Sequence, residues 1–445
     1  MQLRLWIGCS LICVCSVAGW TQEKPASPAA GSSSASADAQ PRARDLGIPF
    51  DGTPGPFNAI TDVAGVEVGY KTLISGEGRL VVGKGPVRTG VTAILPRGQK
   101  GTQSSFAAFF AGNGNGDMTG THWIEESGLL ETPILITNTG SVGVVRDAGV
   151  AWMVQQKRPG DFWYPVTAET ADVPLNDIKG QHVTTQDAID ALNSATSGRL
   201  LEGNVGGGTG MICNGFKAGT GTSSRRLDDA AGGYTVGVLV QCNYGNARQL
   251  RVAGIPVARE MHLQPRCVEK LLDPPVHDYF GKPVPVCEAK VATTADGVRA
   301  PEEGSIIVVV ATDAPLTPDQ LKRLAHRVSV GLGRVGAIEG DESGDIFIAF
   351  STANAGADEG NSNVAFKQPN ATIQRMQSWK MDAMFTAVVQ ATEESVINAL
   401  IAAKTMTGAN YWTVQALPHD QLQEVLRKHG MLVEVPGGAT SPAQH

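Results

Sequence analysis

Charge is scarce in this chain. Asp, Glu, Lys and Arg make up 18% of its 445 residues, with a formal balance of -7. There is no basic stripe and no run of aromatics interleaved with Lys or Arg, which argues against nucleic acid as a partner. No Cys/His spacing reads as a metal site, and nothing implies a cofactor. The longest apolar run, near the N-terminus, is about 15 residues, too short to span a membrane. All eight His stand in exposed or loop-like settings, so a Ser-His-Asp triad finds no base.

Glycine is abundant by contrast, with 53 residues, and points to many tight turns and close backbone approaches. The length allows one large domain or two. MQLRLWIGCSLICVCSVAGW (1–20) has the form of a secretory signal: Arg4, an apolar run, then small residues. Cys9, Cys13 and Cys15 lie in that run, but none follows a clean small residue at a suitable depth, which argues against a lipid anchor. The expected location is periplasmic or secreted. Residues 21–45, rich in Ala, Ser and Pro, read as a disordered linker, and 436–445 as a flexible tail. Four Cys remain. Cys267 and Cys287 share one irregular segment and suit a local bridge; Cys213 and Cys242, in apolar runs, read as buried free thiols.

From Leu46 onward, short apolar strands alternate with Gly-rich turns. SVGVVRDAGVAWMVQQK predicts a helix with Ser141 as N-cap. LTPDQLKRLAHRVSVGLGRVG predicts another, opened by Thr317, Pro318 and Gln320 in a capping-box pattern. MDAMFTAVVQATEESVINALIAAKTM predicts a second amphipathic helix. The alternation gives an α/β class. Residues 261–303, rich in Pro and charge, lack periodicity and read as a long surface excursion. EGNVGGGTGM lacks the Lys of a phosphate-binding loop and the spacing of a dinucleotide fingerprint, so tight turns are expected there.

Several strands end on polar groups. Asn243 follows VLVQC, Ser305 opens IIVVV after Gly304, and Ser343 and Asp345 lead into IFIAF. Each alone is an ordinary turn residue. Together they stand where a rigid sheet can fix reactive groups.

The stretches NAITDVAGVEVGY, VRTGVTAILPRG, LLETPILITNTGSVG, AETADVPLNDI, EGNVGGGTGMICNGFKAGTGTSSR, VGVLVQCNYGNARQL, GSIIVVVATDAPL, SGDIFIAFSTAN and ATEESVINAL resemble, in this order, the L-aminopeptidase/D-amidase-esterase family, which includes the β-peptidyl aminopeptidases. The resemblance covers about residues 46–417. It implies an α/β, four-layer αββα sandwich like that of N-terminal-nucleophile hydrolases, with different connectivity. It also implies one catalytic domain over 46–435 that cuts itself at Gly304–Ser305 into fragments 46–304 and 305–435. Such fragments usually assemble as a tetramer of αβ pairs, a homo-oligomer.

The implied roles make chemical sense. Before the cut, the Ser305 hydroxyl attacks the Gly304 carbonyl. After it, Ser305 carries a free α-amine, which titrates near ~7.7 to 8.0 and can act as base without any His. By motif position, Asn243 steadies the oxyanion, Ser343 hydrogen-bonds the nucleophile and Asp345 completes the relay where relatives often carry Glu. Glu169 receives the free amine of a small peptide or amide substrate. Two departures stand out. Ala171 occupies the place of a family Tyr, and the 261–303 segment is longer than the usual connection, fit to cover the site entrance or a subunit interface or to be a tolerated insertion. The function expected is a self-matured serine aminopeptidase acting on peptides, amides or esters, including D- or β-residues. The alternatives are an amidase or acyltransferase on the same scaffold, or a non-catalytic homologue.

Overall fold

VRTGVTAIL is buried along its whole length, so other layers must cover both its faces. A computed structural model of the chain, describing residues 40–263, 266–277, 283–287, 303–356 and 370–434, shows how. Fifteen strands are present among the described residues: β1 Glu67–Ser75, β2 Val87–Leu95, β3 Ser105–Gly114, β4 Leu129–Leu130, β5 Ile134–Asn138, β6 Val166–Thr170, β7 Ile212–Cys213, β8 Phe216–Lys217, β9 Thr220–Arg226, β10 Thr235–Asn243, β11 Cys267–Val268, β12 Glu303–Thr312, β13 Glu342–Ser351, β14 Met406–Thr407 and β15 Trp412–Val414. The α-helices are α1 Thr121–Ser127, α2 Val142–Gln155, α3 Thr185–Asn193, α4 Pro318–Val335, α5 Asp382–Ile401 and α6 His419–Lys428.

Two sheets form the centre. One runs β1-β2-β5-β6; the other runs β4-β3-β13-β12-β10-β9. Helices α2 and α3 cover the outer face of the first, and α4 and α5 the outer face of the second. Strand alternation makes this possible. Along β12, Ile306, Val308 and Val310 turn to the helices, while Ile307, Val309 and Ala311 turn inward to meet Ile94, Ile136 and Ala168 of the first sheet. The expected αββα sandwich is therefore the observed one.

The helices follow their sequence signals with one exception. Ser141 is the N-cap of α2, and Thr317 caps α4 with Pro318 and Gln320 behind it. Helix α5 is not amphipathic: it ends at Ile401 and is buried on nearly every side from Ala391 onward. It lies between α4 and strands β9 and β10, which explains its polar but buried Glu394, Ser395 and Asn398.

Three further readings meet the structure here. The signal at 1–20, most of the linker and the tail at 436–445 lie outside the described residues. The linker's last residues, however, are docked. Ala43–Leu46 form a 3-10 turn, the Ala43 N–H donates to Asn398 Oδ1 at 3.0 Å, and Arg42 pairs with Glu202 at 2.8 Å. Two Arg in an Ala/Ser-rich stretch find buried acids, so order extends beyond the low-complexity boundary. Cys213 and Cys242 are not free thiols: they form a disulfide. β7 lies against β10 in the fold, a proximity that apolar local sequence does not encode. Cys267 and Cys287 form the second bridge.

The excursion after Met261 is partly structured. Cys267–Val268 pairs with Trp412 and Thr413 of β15. Val268 and Val284 pack with Leu175, Ile212, Met406, Trp412 and Val414 in one apolar cluster.

Candidate active site at the Gly304–Ser305 step

Strand register brings the expected residues together. Asn243, at the end of β10, lies directly opposite Ser305 on antiparallel β12. Both follow the parity of the inward-facing residues, so their side chains share the face turned toward the first sheet. Cβ atoms of such partners stand about 4.5–5.5 Å apart. On the other side of β12, parallel β13 sets Ser343 beside Gly304 and Gly344 beside Ser305. Ser343 donates to Asp345 Oδ1 at 2.8 Å. Alternation turns these two side chains to the opposite face from the Ser305 hydroxyl, next to the Gly304–Ser305 backbone. All six residues are buried or nearly so.

Glycine at 304 is required. Its φ is +125°, and a Cβ there would lie 1.9 Å from the Asn243 carbonyl oxygen. No other residue fits so close to β10 in that conformation. The peptide that would be cut is thus held tightly between β10 and β13.

Asn243 is oriented from both ends. Its Oδ1 accepts from Ile212 N–H at 2.9 Å, and its Nδ2 donates to the Ala171 carbonyl at 2.9 Å. One N–H of Nδ2 remains for charge developing on a reacting carbonyl. Residue 171 serves Asn243 through its backbone, which the Ala in place of the family Tyr leaves intact. Two donors missed at the sequence level support Glu169. Thr139 Oγ1 donates to Oε2, and the Asp117 N–H donates to Oε1 at 3.0 Å. Burial pushes the Glu169 carboxyl up, and these two bonds only partly oppose it. Among the described residues no Lys, Arg or His is ion-paired with it. The polar strand end TNTG was the available signal for Thr139.

Glu169 is within reach of the same locality. A Cβ on Gly116 would stand 3.3 Å from Glu169 Oε1 and 3.6 Å from Gly344 Cα, and Gly344 is the register neighbour of Ser305. The Gly-rich loop 206–210 threads between the sheets; a Cβ on Gly207 would meet Gln241 Oε1 at 2.2 Å. Among the described residues no His/Cys/Asp/Glu cluster could hold a metal, and no helix is long and apolar enough to cross a membrane. A separate cavity, lined by Arg97, Glu131, Trp152, Arg158 and Trp163, lies at the other end of the first sheet, ahead of β5 and β6, away from these groups.

Comparison with known proteins agrees with this geometry. Residues 58–414 match Peptidase family S58. The chain is 52% identical over 394 residues to a β-peptidyl aminopeptidase of Sphingosinicella microcystinivorans, covering 88% of this chain and 93% of that one. It is 44% identical over 393 residues to a β-peptidyl aminopeptidase of Sphingosinicella xenopeptidilytica, covering 87% and 92%. The solved L-aminopeptidase D-Ala-esterase/amidase of Ochrobactrum anthropi, described as a prototype of the serine aminopeptidases and a variant of the Ntn hydrolase fold, superposes with a TM-score of 0.75 at 44% identity, covering 88% of this chain and 100% of that one. The chain belongs to peptidase family S58, and it is a hydrolase of the aminopeptidase class.

Proposed function

We propose that this aminopeptidase matures by cutting itself at Gly304–Ser305 and then releases N-terminal residues, β-amino acid residues among them, from short peptides and amides. The observation that carries this is the register: Ser305 faces Asn243 on one side, and on the other the Ser343–Asp345 pair flanks its neighbour Gly344 on β13, with Ser343 beside Gly304.

In maturation the Ser305 Oγ attacks the Gly304 carbonyl carbon, the C–N bond to Ser305 breaks, and an ester forms. Water then hydrolyses the ester. Gly304 leaves as a carboxylate and Ser305 gains a free amine. In turnover that amine takes the hydroxyl proton as Oγ attacks the substrate carbonyl. The free N–H of Asn243 meets the oxyanion. The amine returns the proton to the leaving amine, and water clears the acyl-enzyme by the same route. Ser343 and Asp345, placed beside the nitrogen, hold the amine in position. The substrate's own ammonium ends on Glu169, and a blocked N-terminus would leave that buried carboxylate unpaired.

Two parts of this reading concern the surroundings. Residues 1–20 direct export to the periplasm or beyond, an oxidising setting that suits both disulfides. The chain beyond the export segment forms a single catalytic domain, and the cut pairs assemble as a tetramer.

Intact mass of the purified protein tests the core of the reading. Two fragments are expected, the smaller beginning at Ser305, and Ser305→Ala should stay whole and inactive. Cleavage persisting in Ser305→Ala, or peptide hydrolysis by a wholly uncut chain, would overturn it.

A further inference from the structure

Lys217 is a buried lysine that the chemistry above does not use. It sits on two-residue strand β8 with no exposed surface. Its Nζ donates to the Met211 carbonyl at 2.7 Å and to the Ala218 carbonyl at 2.6 Å, and among the described residues it has no carboxylate partner. Burial alone pushes its amine far down from the usual lysine range. An ammonium or amine in such a place is costly unless its bonds do something an apolar side chain could not.

The geometry points to Lys217 as a positioning residue for the oxyanion donor. Its target, the Met211 carbonyl, belongs to the same peptide unit as the Ile212 N–H. That N–H donates to Asn243 Oδ1. The peptide is planar, so fixing its oxygen fixes the direction of its hydrogen. A donor on the carbonyl also polarises the unit and strengthens the N–H bond at the other end. Lys217 thus acts on Asn243 through one rigid group.

The surroundings leave this peptide few holds besides Lys217. Ile212 sits in the short β7–β8 hairpin, whose turn residues Asn214 and Gly215 have φ of +49° and +77°. The Cys213–Cys242 bridge ties the residue after Ile212 to the residue before Asn243, which sets their separation. It does not set the rotation of the 211–212 peptide. That rotation is held by Lys217 Nζ and by the Ala218 N–H, which donates to Met211 O at 3.2 Å. Were the peptide to turn, Asn243 would lose the donor on Oδ1 and keep only the Ala171 carbonyl to orient it. An amide presented oxygen-first would repel the oxyanion.

The inference rests on Asn243 as the oxyanion donor, and its test keeps the two apart. Lys217→Met, Lys217→Gln and Asn243→Ala are purified, their maturation is followed by intact mass, and their kinetics are measured on β-alanine p-nitroanilide. Lys217→Met should mature, keep KM within about twofold and lose about tenfold or more in kcat. Lys217→Gln, which keeps a donor, should recover most of that loss. If Asn243→Ala keeps the wild-type kcat, the oxyanion reading itself fails. If Asn243→Ala loses kcat while Lys217→Met does not, only the present inference fails. A Lys217→Gln no better than Lys217→Met, a rise in KM in step with the fall in kcat, or failure of both Lys217 variants to fold or mature would assign Lys217 to the scaffold and overturn the proposal.

Discussion

Two buried carboxylates in this molecule are treated in opposite ways. Glu394 of α5 meets Arg44 at 2.8 Å, Arg225 at 2.7 Å and Asn58 Nδ2 at 2.6 Å. Burial pushes its carboxyl up, yet the two Arg overcome that and hold it below the usual carboxylate range. Glu169 is about as buried, but it has a hydroxyl and one backbone N–H and, among the described residues, no cation paired with it, and its carboxyl is raised. A cluster that only holds the fold together saturates its charges. On the proposed reading, Glu169 leaves one place open for a charged guest.

The comparison can be pressed from its strongest point. Gly304→Ala forces a Cβ against the Asn243 carbonyl, so the chain should remain in one piece by gel and mass, with no detectable aminopeptidase activity. Glu394→Ala should act on the other cluster alone. Leaving Arg225 buried without its acid should cost about 3–5 kcal/mol in denaturant unfolding, while kcat of the folded, matured fraction stays at the wild-type value. Asn243→Ala should lower kcat by about 10²–10³, or ~2.7–4 kcal/mol of barrier, with little change in unfolding midpoint.

Glu169→Gln should have the smallest effect, a rise in KM of about tenfold for substrates with a free amine, and less for analogues without one. Its pH signature separates the two carboxylates. Glu169, raised in the folded state, becomes neutral as pH falls through its elevated pKa, so wild-type KM for amine substrates should climb on acidification and that climb should vanish in Glu169→Gln. For stability the signs differ. A raised carboxyl favours the fold at low pH and loses that contribution as pH rises. Glu394, depressed, contributes above its unfolded pKa and loses its contribution as pH falls through the folded value. Unfolding curves of the wild type and Glu394→Ala should therefore converge in acid.

Much of the architecture was written in local pattern. The alternation that buries β12 on both faces and the Thr317-Pro318-Gln320 start of α4 are short-range signals, and they were legible. Pairing order was not, because IIVVV fits any neighbouring strand equally well. The Cys213–Cys242 bridge depends on that order and was missed with it. Arg42 and Arg44 looked like part of a solvated linker because their partners, Glu202 and Glu394, lie 160 and 350 residues away. The convergence of Ser305, Asn243, Ser343 and Glu169 was read through family resemblance; no local rule distinguishes them from turn residues. Thr139, Ile212 and Lys217 act through hydrogen bonds that only the folded chain reveals.

The strand order of the larger sheet carries one more consequence. Cut at Gly304, the chain yields two pieces whose strands are interleaved: β13 and β12 of the second piece lie between β3 and β10 of the first. On the proposed maturation, the pieces fold as one chain and lose their covalent link only afterwards. Each then keeps the other by two ladders and a shared core, without the covalent link that once made their meeting a first-order event. Unfolding converts that meeting to a second-order one, and the local concentration supplied by the tether is gone. Recovery after denaturation should therefore depend on dilution in the matured protein and be independent of it in the uncut Ser305→Ala chain: maturation turns a reversible fold into one that is assembled once.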